Sequence, residues 1–230
     1  ENLMDEFKII RKYFKKITSN NSSAKNLNDD VFFDKSKNLV VSVDTYNEKV
    51  HFPSFKYPNL VLKKIIRSSI SDLISKGVKP KYYFVSGSGN KHHFSKRNLK
   101  LITKSLHEEQ KEFNIKLSGG DTVNSNKLSF SITTIGFSKK IIERNKARLN
   151  DDIYVTGNIG DSFLGVELTK KKIKISSKLK KYFINKFYCP NLPYKIYDKI
   201  HKFANTSMDI SDGLISDMKK LINKQKLSFE

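Results

Sequence analysis

Short apolar segments of β type alternate along this chain with longer segments of helical periodicity, and that alternation limits the folds open to it. Residues 39–43 are rich in valine, residues 60–76 show helical spacing, and residues 128–137 alternate apolar and polar side chains. A period of two is typical of a half-buried strand, and a period near 3.6 is typical of an amphipathic helix. The pattern predicts an α/β (α+β) protein with mixed sheets backed by helices.

The remaining segments divide the chain into three parts. The same reasoning predicts further helices over residues 5–17, 95–114, 161–168, 178–187, 191–203 and 214–223. It predicts further strands over residues 81–85, 115–117 and 152–156. A charged stretch over residues 138–150 separates two patterned halves. We therefore expect an N-terminal helix and loop (1–27), a first domain (28–140) and a second domain (149–230).

Charge and composition exclude several classes of protein. The 230 residues carry 44 Lys and Arg against 23 Asp and Glu, a net charge of +21, but 39 of these cations are lysines spread along the chain. Only 5 are arginines, the residue type suited to reading bases, so no specific nucleic acid partner is expected. No apolar run approaches the roughly 18 residues of a membrane span, which predicts no membrane partner. The lone Cys189 and the charged first residues predict a reducing, cytoplasmic location.

Five short acidic segments stand at predicted junctions of strands, loops and helices. They are Asn28-Asp29-Asp30, Ser42-Val43-Asp44, Ser71-Asp72, Gly119-Gly120-Asp121 and Met208-Asp209-Ile210-Ser211-Asp212. Grouped carboxylates repel one another and persist only where cations compensate. Short Asp side chains at strand ends and turns suit octahedral Mg²⁺, with oxygens at about 2.0–2.1 Å. Each segment alone is consistent with a turn, a helix cap or a surface charge, but five together predict a metal site.

In order and spacing, these segments resemble the thiamine-monophosphate kinase family, in the superfamily of aminoimidazole ribonucleotide synthetase and selenophosphate synthetase. His51-Phe52 and the segment over residues 154–162 add to the resemblance, which covers about residues 7–222. It implies a two-domain aminoimidazole ribonucleotide synthetase-like fold. Residues 28–140 would carry the ATP and Mg²⁺ site and a sheet paired across a homodimer. Family members continue past Glu230, so the second domain is expected to be incomplete and the chain truncated at its C-terminal end.

The resemblance also implies a reaction and the residues that serve it. ATP would donate its γ-phosphoryl group in line to thiamine monophosphate, giving thiamine diphosphate and ADP with no covalent enzyme intermediate and with several Mg²⁺ ions assisting. The implied metal ligands are Asp30, Ser42, Asp44, Asp72, Asp121, Asp209 and Asp212. The implied ATP contacts are Gly120, Asp121, Arg144 and Ser211. The implied substrate contact is His51.

Some residues depart from the family pattern, and two alternatives stay open. Asn28 stands where the family has Gly, and Val43 stands where it has Thr. Asn adopts left-handed backbone angles more readily than most residues, so the turn at Asn28 is expected to survive. One alternative is another ATP-using enzyme of the superfamily, such as selenophosphate or aminoimidazole ribonucleotide synthetase. The other is a basic nucleic-acid-binding module with steeply salt-dependent binding, which leaves the ordered Asp segments unexplained.

Overall fold

A five-stranded mixed sheet organises the first half of the chain in the computed structural model, which describes residues 6–230. The strands are β1 (Phe32–Asp34), β2 (Leu39–Asn47), β3 (Pro80–Gly89), β4 (Lys116–Asn124) and β5 (Ser129–Phe137). Their order across the sheet is β1-β2-β5-β3-β4. Only β3 and β4 pair in parallel; the other neighbours are antiparallel. The predicted α/β class, with a mixed sheet backed by helices, is confirmed.

Six α-helices accompany the sheet in the described part of the chain. They are α1 (Glu6–Ile9), α2 (Pro58–Ser75), α3 (Lys96–Phe113), α4 (Asp161–Thr169), α5 (Ser177–Tyr188) and α6 (Leu214–Leu221). Pro58 opens α2, where its fixed φ suits the first helical position. Asn114 ends α3 with a left-handed φ of 50°. Within residues 6–230 no helix is long and apolar enough to cross a membrane.

Helix α2 lies on one face of the sheet and forms the centre of the hydrophobic core. Ile65, Ile66 and Ile70 have no exposed surface, and they share one cluster with Phe130 of β5. Buried and more exposed residues alternate along β2 and β5, as expected for strands covered on one side. On the opposite side of β2, Val43 is 65% exposed. We call the sheet face opposite α2 the open face.

The second half of the chain contains helices and turns, and residues 149–230 include no strand. One link to the first half is the guanidinium group of Arg67 on α2. That group donates to both carboxylate oxygens of Glu109 on α3, at 2.8 and 3.1 Å, and to the carbonyl oxygen of Pro190 at 3.2 Å. Arg67 therefore joins α2, α3 and the segment that follows α5.

Three secondary-structure predictions were wrong in whole or in part. Residues 152–156 form no strand, because no neighbouring strand pairs with them. Residues 191–203 form only two 3₁₀ turns, Tyr194–Ile196 and Ile200–Lys202, since Pro193 interrupts the backbone hydrogen bonds of a helix. The helix predicted over residues 5–17 is α-helical only over Glu6–Ile9. It continues as a wider π-helical turn over Ile10–Phe14 and a tighter 3₁₀ turn over Lys15–Thr18, and Asp5 lies outside the described residues.

Replacing the buried Glu109 tests the link made by Arg67. Glu109→Gln should lower the free energy of unfolding by about 3 kcal/mol, because the mostly buried guanidinium group of Arg67 loses its charge partner. The adjacent Glu108 is 41% exposed and pairs with Lys63, so Glu108→Gln should cost less than about 1 kcal/mol. Urea unfolding of both variants measures the difference. Equal losses would contradict the special role of the buried pair.

Candidate active site

Three carboxylates from distant parts of the sequence meet beside α2. Asp30 precedes β1, Asp72 lies on α2, and Asp209 precedes α6. One carboxylate oxygen from each residue lies within 4.8 Å of the other two. We call these three residues the acidic cluster. All its donors are oxygens, which is the ligand type that Mg²⁺ prefers.

Serine hydroxyl groups on β2 and on α2 orient two carboxylates of the acidic cluster. On β2, the buried Ser42 donates a hydrogen bond to the carboxylate of Asp72. On α2, Ser71 donates to the carboxylate of Asp209 at 2.5 Å. Because β2 packs beneath α2, residues of even number on β2 point towards the cluster. The alternation brings Asp44 to the same side.

Burial and mutual repulsion make the charged form of these carboxyl groups unfavourable. Burial raises the pKa of Asp72 well above its ordinary value, and the nearby Asp209 and Asp44 raise it further. Burial also raises the pKa of Asp209 and the pKa of Asp44. A divalent cation offsets both effects, since it replaces lost water and neutralises the repulsion. The acidic cluster therefore fits a metal ion such as Mg²⁺.

Two cationic side chains already offset part of this charge. Lys76 is fully buried, and its Nζ lies 2.7 Å from Asp29 Oδ1 and 2.6 Å from Asp30 Oδ2. Arg144 forms an ion pair with Asp30, and its backbone N–H donates to Asp29 at 3.0 Å. Lys76 was not among the site residues predicted from the sequence. The available signal was its position four residues after Asp72, one turn further along the same helix.

Asp121 lies away from the acidic cluster. It sits on β4 at the edge of the sheet and pairs in register with Ser86 of β3. Ser86 is in register with Ser131, and Ser131 with Thr45. Directly paired residues project from the same face of a sheet, so Asp121 lies with Thr45 on the open face. The acidic cluster lies on the other face, beside α2.

Gly120 occupies a position that only glycine fits. Its φ is +158°, and a Cβ atom there would lie 1.8 Å from the carbonyl oxygen of Val85. Gly120 is in register with Val85, then with Ile132, and through it with Asp44 on β2. Three strand spacings separate Gly120 from Asp44, which is about 14 Å. The Gly-Gly-Asp segment and the Asp44 side of the site thus lie at two ends of one row across the sheet.

Ser211 and Asp212 lie in the turn before α6 and outside the acidic cluster. The buried carboxylate of Asp217 accepts hydrogen bonds from the backbone N–H groups of Ser211 at 2.8 Å and Asp212 at 2.9 Å. The exposed Asp212 carboxylate pairs with Lys220 at 2.5 Å. This turn therefore presents Asp212 to solvent, with a lysine as its partner instead of the other carboxylates.

His51 lies in the turn that follows β2. Its Nδ1 accepts a hydrogen bond from the backbone N–H of Asn47 at 2.9 Å, and its ring meets the ring of Tyr46 edge-on at 5.5 Å. Burial lowers the pKa of His51, so the neutral imidazole predominates at neutral pH. A neutral ring fixed through Nδ1 leaves Nε2–H as a donor.

A domain-family model and solved structures show which class of protein this chain resembles. Residues 28–138 match the family model described as AIR synthase related protein, N-terminal domain. A solved structure of thiamine monophosphate kinase from Aquifex aeolicus superposes with a TM-score of 0.84 at 27% identity, covering 96% of this chain and 72% of that one. AaThiL complexed with AMPPCP and TMP superposes equally well, at 25% identity over 97% of this chain and 73% of that one.

Relatives at the sequence level name the family. Thiamine-monophosphate kinase from Buchnera aphidicola subsp. Acyrthosiphon pisum is 33% identical over 228 residues, covering 95% of this chain and 69% of the relative. The enzyme of that name from Methanocaldococcus jannaschii is 31% identical over 92% of this chain and 70% of the relative. The chain belongs to the thiamine-monophosphate kinase family.

Removing one buried carboxylate tests the electrostatics of the cluster. Since the folded-state pKa of Asp72 is raised, its carboxyl group stabilises the fold at low pH, and that contribution is lost as pH rises through the raised pKa. Asp72→Asn should therefore stabilise the metal-free protein by about 1–2 kcal/mol near neutral pH. It should also flatten the decline of stability with pH. Thermal unfolding in chelator between about pH 4 and pH 8 measures both effects.

Asp34→Asn is the matched control for that measurement. Asp34 is partly exposed at the end of β1, outside the cluster, and a hydrogen bond from Ser36 lowers its pKa. Its replacement should give no stabilisation near neutral pH. A less stable Asp72→Asn protein across the whole pH range would show that repulsion within the cluster is negligible.

Proposed function

We propose that this protein phosphorylates thiamine monophosphate, using ATP as co-substrate and releasing thiamine diphosphate and ADP. The observation that carries the proposal is the acidic cluster of Asp30, Asp72 and Asp209 in a chain of the thiamine-monophosphate kinase family. AaThiL, whose structure matches this chain, binds AMPPCP and TMP together. AMPPCP keeps the phosphates of ATP but replaces its β–γ bridging oxygen, so the pair corresponds to a donor and an acceptor.

The acidic cluster, with Ser42 and Asp44 beside it, is proposed to hold Mg²⁺. Donor and acceptor are both anionic phosphates, and bound Mg²⁺ supplies the charge that lets them approach. The residues of this chain contribute position and electrostatics: α2 and β2 fix the carboxylates, and hydroxyl groups orient them. The transfer is proposed to be direct and in line, and none of the proposed steps needs a nucleophilic side chain.

The remaining family positions are proposed as contacts to ATP and substrate. Gly120 lets the backbone of β4 pair closely with β3, since a Cβ atom would meet the Val85 carbonyl oxygen, and it is proposed as an ATP contact. Asp121, on the open face, is proposed as a metal ligand and an ATP contact. Asp212, in the turn before α6, is proposed as a metal ligand, and Ser211 as an ATP contact. Arg144 would contact ATP after exchanging its carboxylate partner Asp30 for phosphate. His51 is proposed as the substrate contact.

The proposal extends to the organisation of the protein and to its location. Residues 28–140 and 149–230 are proposed as two domains, with the acidic cluster joining Asp30 and Asp72 of the first to Asp209 of the second. A cytoplasmic location fits an enzyme whose substrates, ATP and a thiamine phosphate, are charged small molecules.

A homodimer formed through the open face is also proposed. Val43 on β2 is 65% exposed, and Val123 on the edge strand β4, which shares this face, is 52% exposed. Burial of such a strip against a second copy stabilises an interface by removing apolar surface from water.

Sedimentation analysis of two valine variants tests the dimer. Val43→Glu places a charge in the proposed interface and should shift the protein from dimer to monomer, because burying an unpaired carboxylate is unfavourable. Val50 is 74% exposed in the turn after β2, so Val50→Glu should leave the assembly unchanged. A monomeric wild-type protein, or equal behaviour of both variants, would refute the proposed interface.

Product analysis tests the reaction itself. Incubation with thiamine monophosphate and ATP should yield thiamine diphosphate with Mg²⁺ and none with chelator. Asp72→Asn should reduce the rate by about 100-fold or more, since a ligand charge is lost where transition-state charge develops, while Asp34→Asn should retain activity. Selenide and the precursor of aminoimidazole ribonucleotide serve as rival substrates. Turnover of a rival, with none of thiamine monophosphate, would overturn the assignment.

A further inference from the structure

We propose that Lys76 is a positioning residue that acts as a resident cation of the active site. Its ammonium group holds Asp30 and the segment carrying Asp209 at the acidic cluster before a metal ion binds. The inference deepens the proposed function, on which it rests for the identity of the cluster as a metal site.

The contacts of the ammonium group carry the inference. Lys76 has no exposed surface, and its Nζ has three oxygen neighbours: Asp29 Oδ1 at 2.7 Å, Asp30 Oδ2 at 2.6 Å and the carbonyl oxygen of Ser207 at 2.7 Å. The contact with Ser207 is a hydrogen bond and the contacts with Asp29 and Asp30 are ion pairs, so oxygen atoms of three residues share this one cation. A fully buried lysine is rare unless it is paired, and this one is paired with two carboxylates at once.

The backbone fixes Lys76 at the point where these groups converge. Its N–H donates to the carbonyl oxygens of Asp72 at 3.3 Å and Leu73 at 3.1 Å, and its own carbonyl oxygen accepts from Ile142 at 3.1 Å. Lys76 therefore ends α2 one turn after Asp72. The helix that positions one carboxylate of the cluster also positions the cation that neutralises its neighbour.

The third contact reaches the second half of the chain. Ser207, whose carbonyl oxygen receives the ammonium group, also donates its hydroxyl to the carbonyl oxygen of Ser75 at 2.5 Å. Thr206 donates to the carbonyl oxygen of Glu143 at 2.8 Å. Asp209 follows Ser207 by two residues. Lys76 thus helps to dock the segment that brings Asp209 to the cluster.

The charge balance explains why this role requires a cation. Asp29, Asp30, Asp72 and Asp209 bring four carboxylates together, and Lys76 and Arg144 supply two positive charges against them. Without Lys76, two buried carboxylates would face each other with less compensation, and the Ser207 carbonyl group would lose its donor. Such a site would depend on bound Mg²⁺ to stay assembled, whereas the wild-type site does not.

Variants of Lys76, which caps α2, and of Lys63, on α2, test the inference through thermal unfolding in chelator and in millimolar Mg²⁺. Lys76→Met should lower Tm in chelator by about 10 °C, because a buried ion pair loses one partner. Mg²⁺ should restore at least half of that loss. Lys63→Met is the control, since Lys63 pairs with the partly exposed Glu108, and it should shift Tm by no more than about 3 °C in either buffer.

Enzyme kinetics separates positioning from a merely structural role. For Lys76→Met, the Mg²⁺ concentration that gives half the maximal rate should rise about tenfold or more, because the ligands are no longer held ready. Loss of folded protein alone would lower the rate and leave that concentration unchanged. An unchanged Mg²⁺ requirement, together with equal losses of Tm in both buffers, would overturn the inference.

A double variant keeps the test decisive if Lys76→Met does not fold. Lys76→Met combined with Asp29→Asn removes one positive and one negative charge, and it should recover at least half of the Tm lost in chelator. A double variant no more stable than Lys76→Met would overturn the role of Lys76 as a resident cation. Wild-type protein that neither responds to Mg²⁺ nor requires it for turnover would instead refute the proposed metal-dependent function, and the comparison in chelator would still decide the role of Lys76.

Discussion

Repulsion between buried carboxylates is the constraint that the rest of this structure satisfies. Asp30, Asp72 and Asp209 approach within 4.8 Å of one another beneath the surface, where water cannot screen their charge. The surrounding groups act against that cost: serine hydroxyls donate to two of the carboxylates, and Lys76 and Arg144 pair with the third. A site built in this way favours binding of a metal cation. Such a cation would offset the repulsion between two anionic phosphates.

Helix α2 links this electrostatic arrangement to the core. One side of α2 carries the fully buried isoleucines that pack against the sheet, and its last turn carries Asp72 and ends at Lys76. Arg67, on the same helix, attaches it to α3 and to the segment after α5. The element that contributes most to the core therefore also sets the geometry of the site.

The sequence predicted the elements whose signal is local and long. The helix at residues 60–76 and the alternating strand at 128–137 have clear periodicity, and the structure contains both. Residues 152–156 have the composition of a strand, but strand formation depends on a partner that local sequence does not reveal. The carboxylates joined in the cluster were predicted from their segments. Lys76 was missed because a lysine at a helix end is ordinarily solvent-exposed and favourable to the helix dipole.

The packing of α2 has a consequence for adaptation to temperature. Ile65 and Ile70 hold the helix on the sheet, so any change in their volume alters the height of Asp72 above Ser42. A substitution deep in the core would then be felt as a change in turnover, with no altered contact to either substrate. Core substitutions beneath α2 are therefore expected to change thermal stability and turnover together.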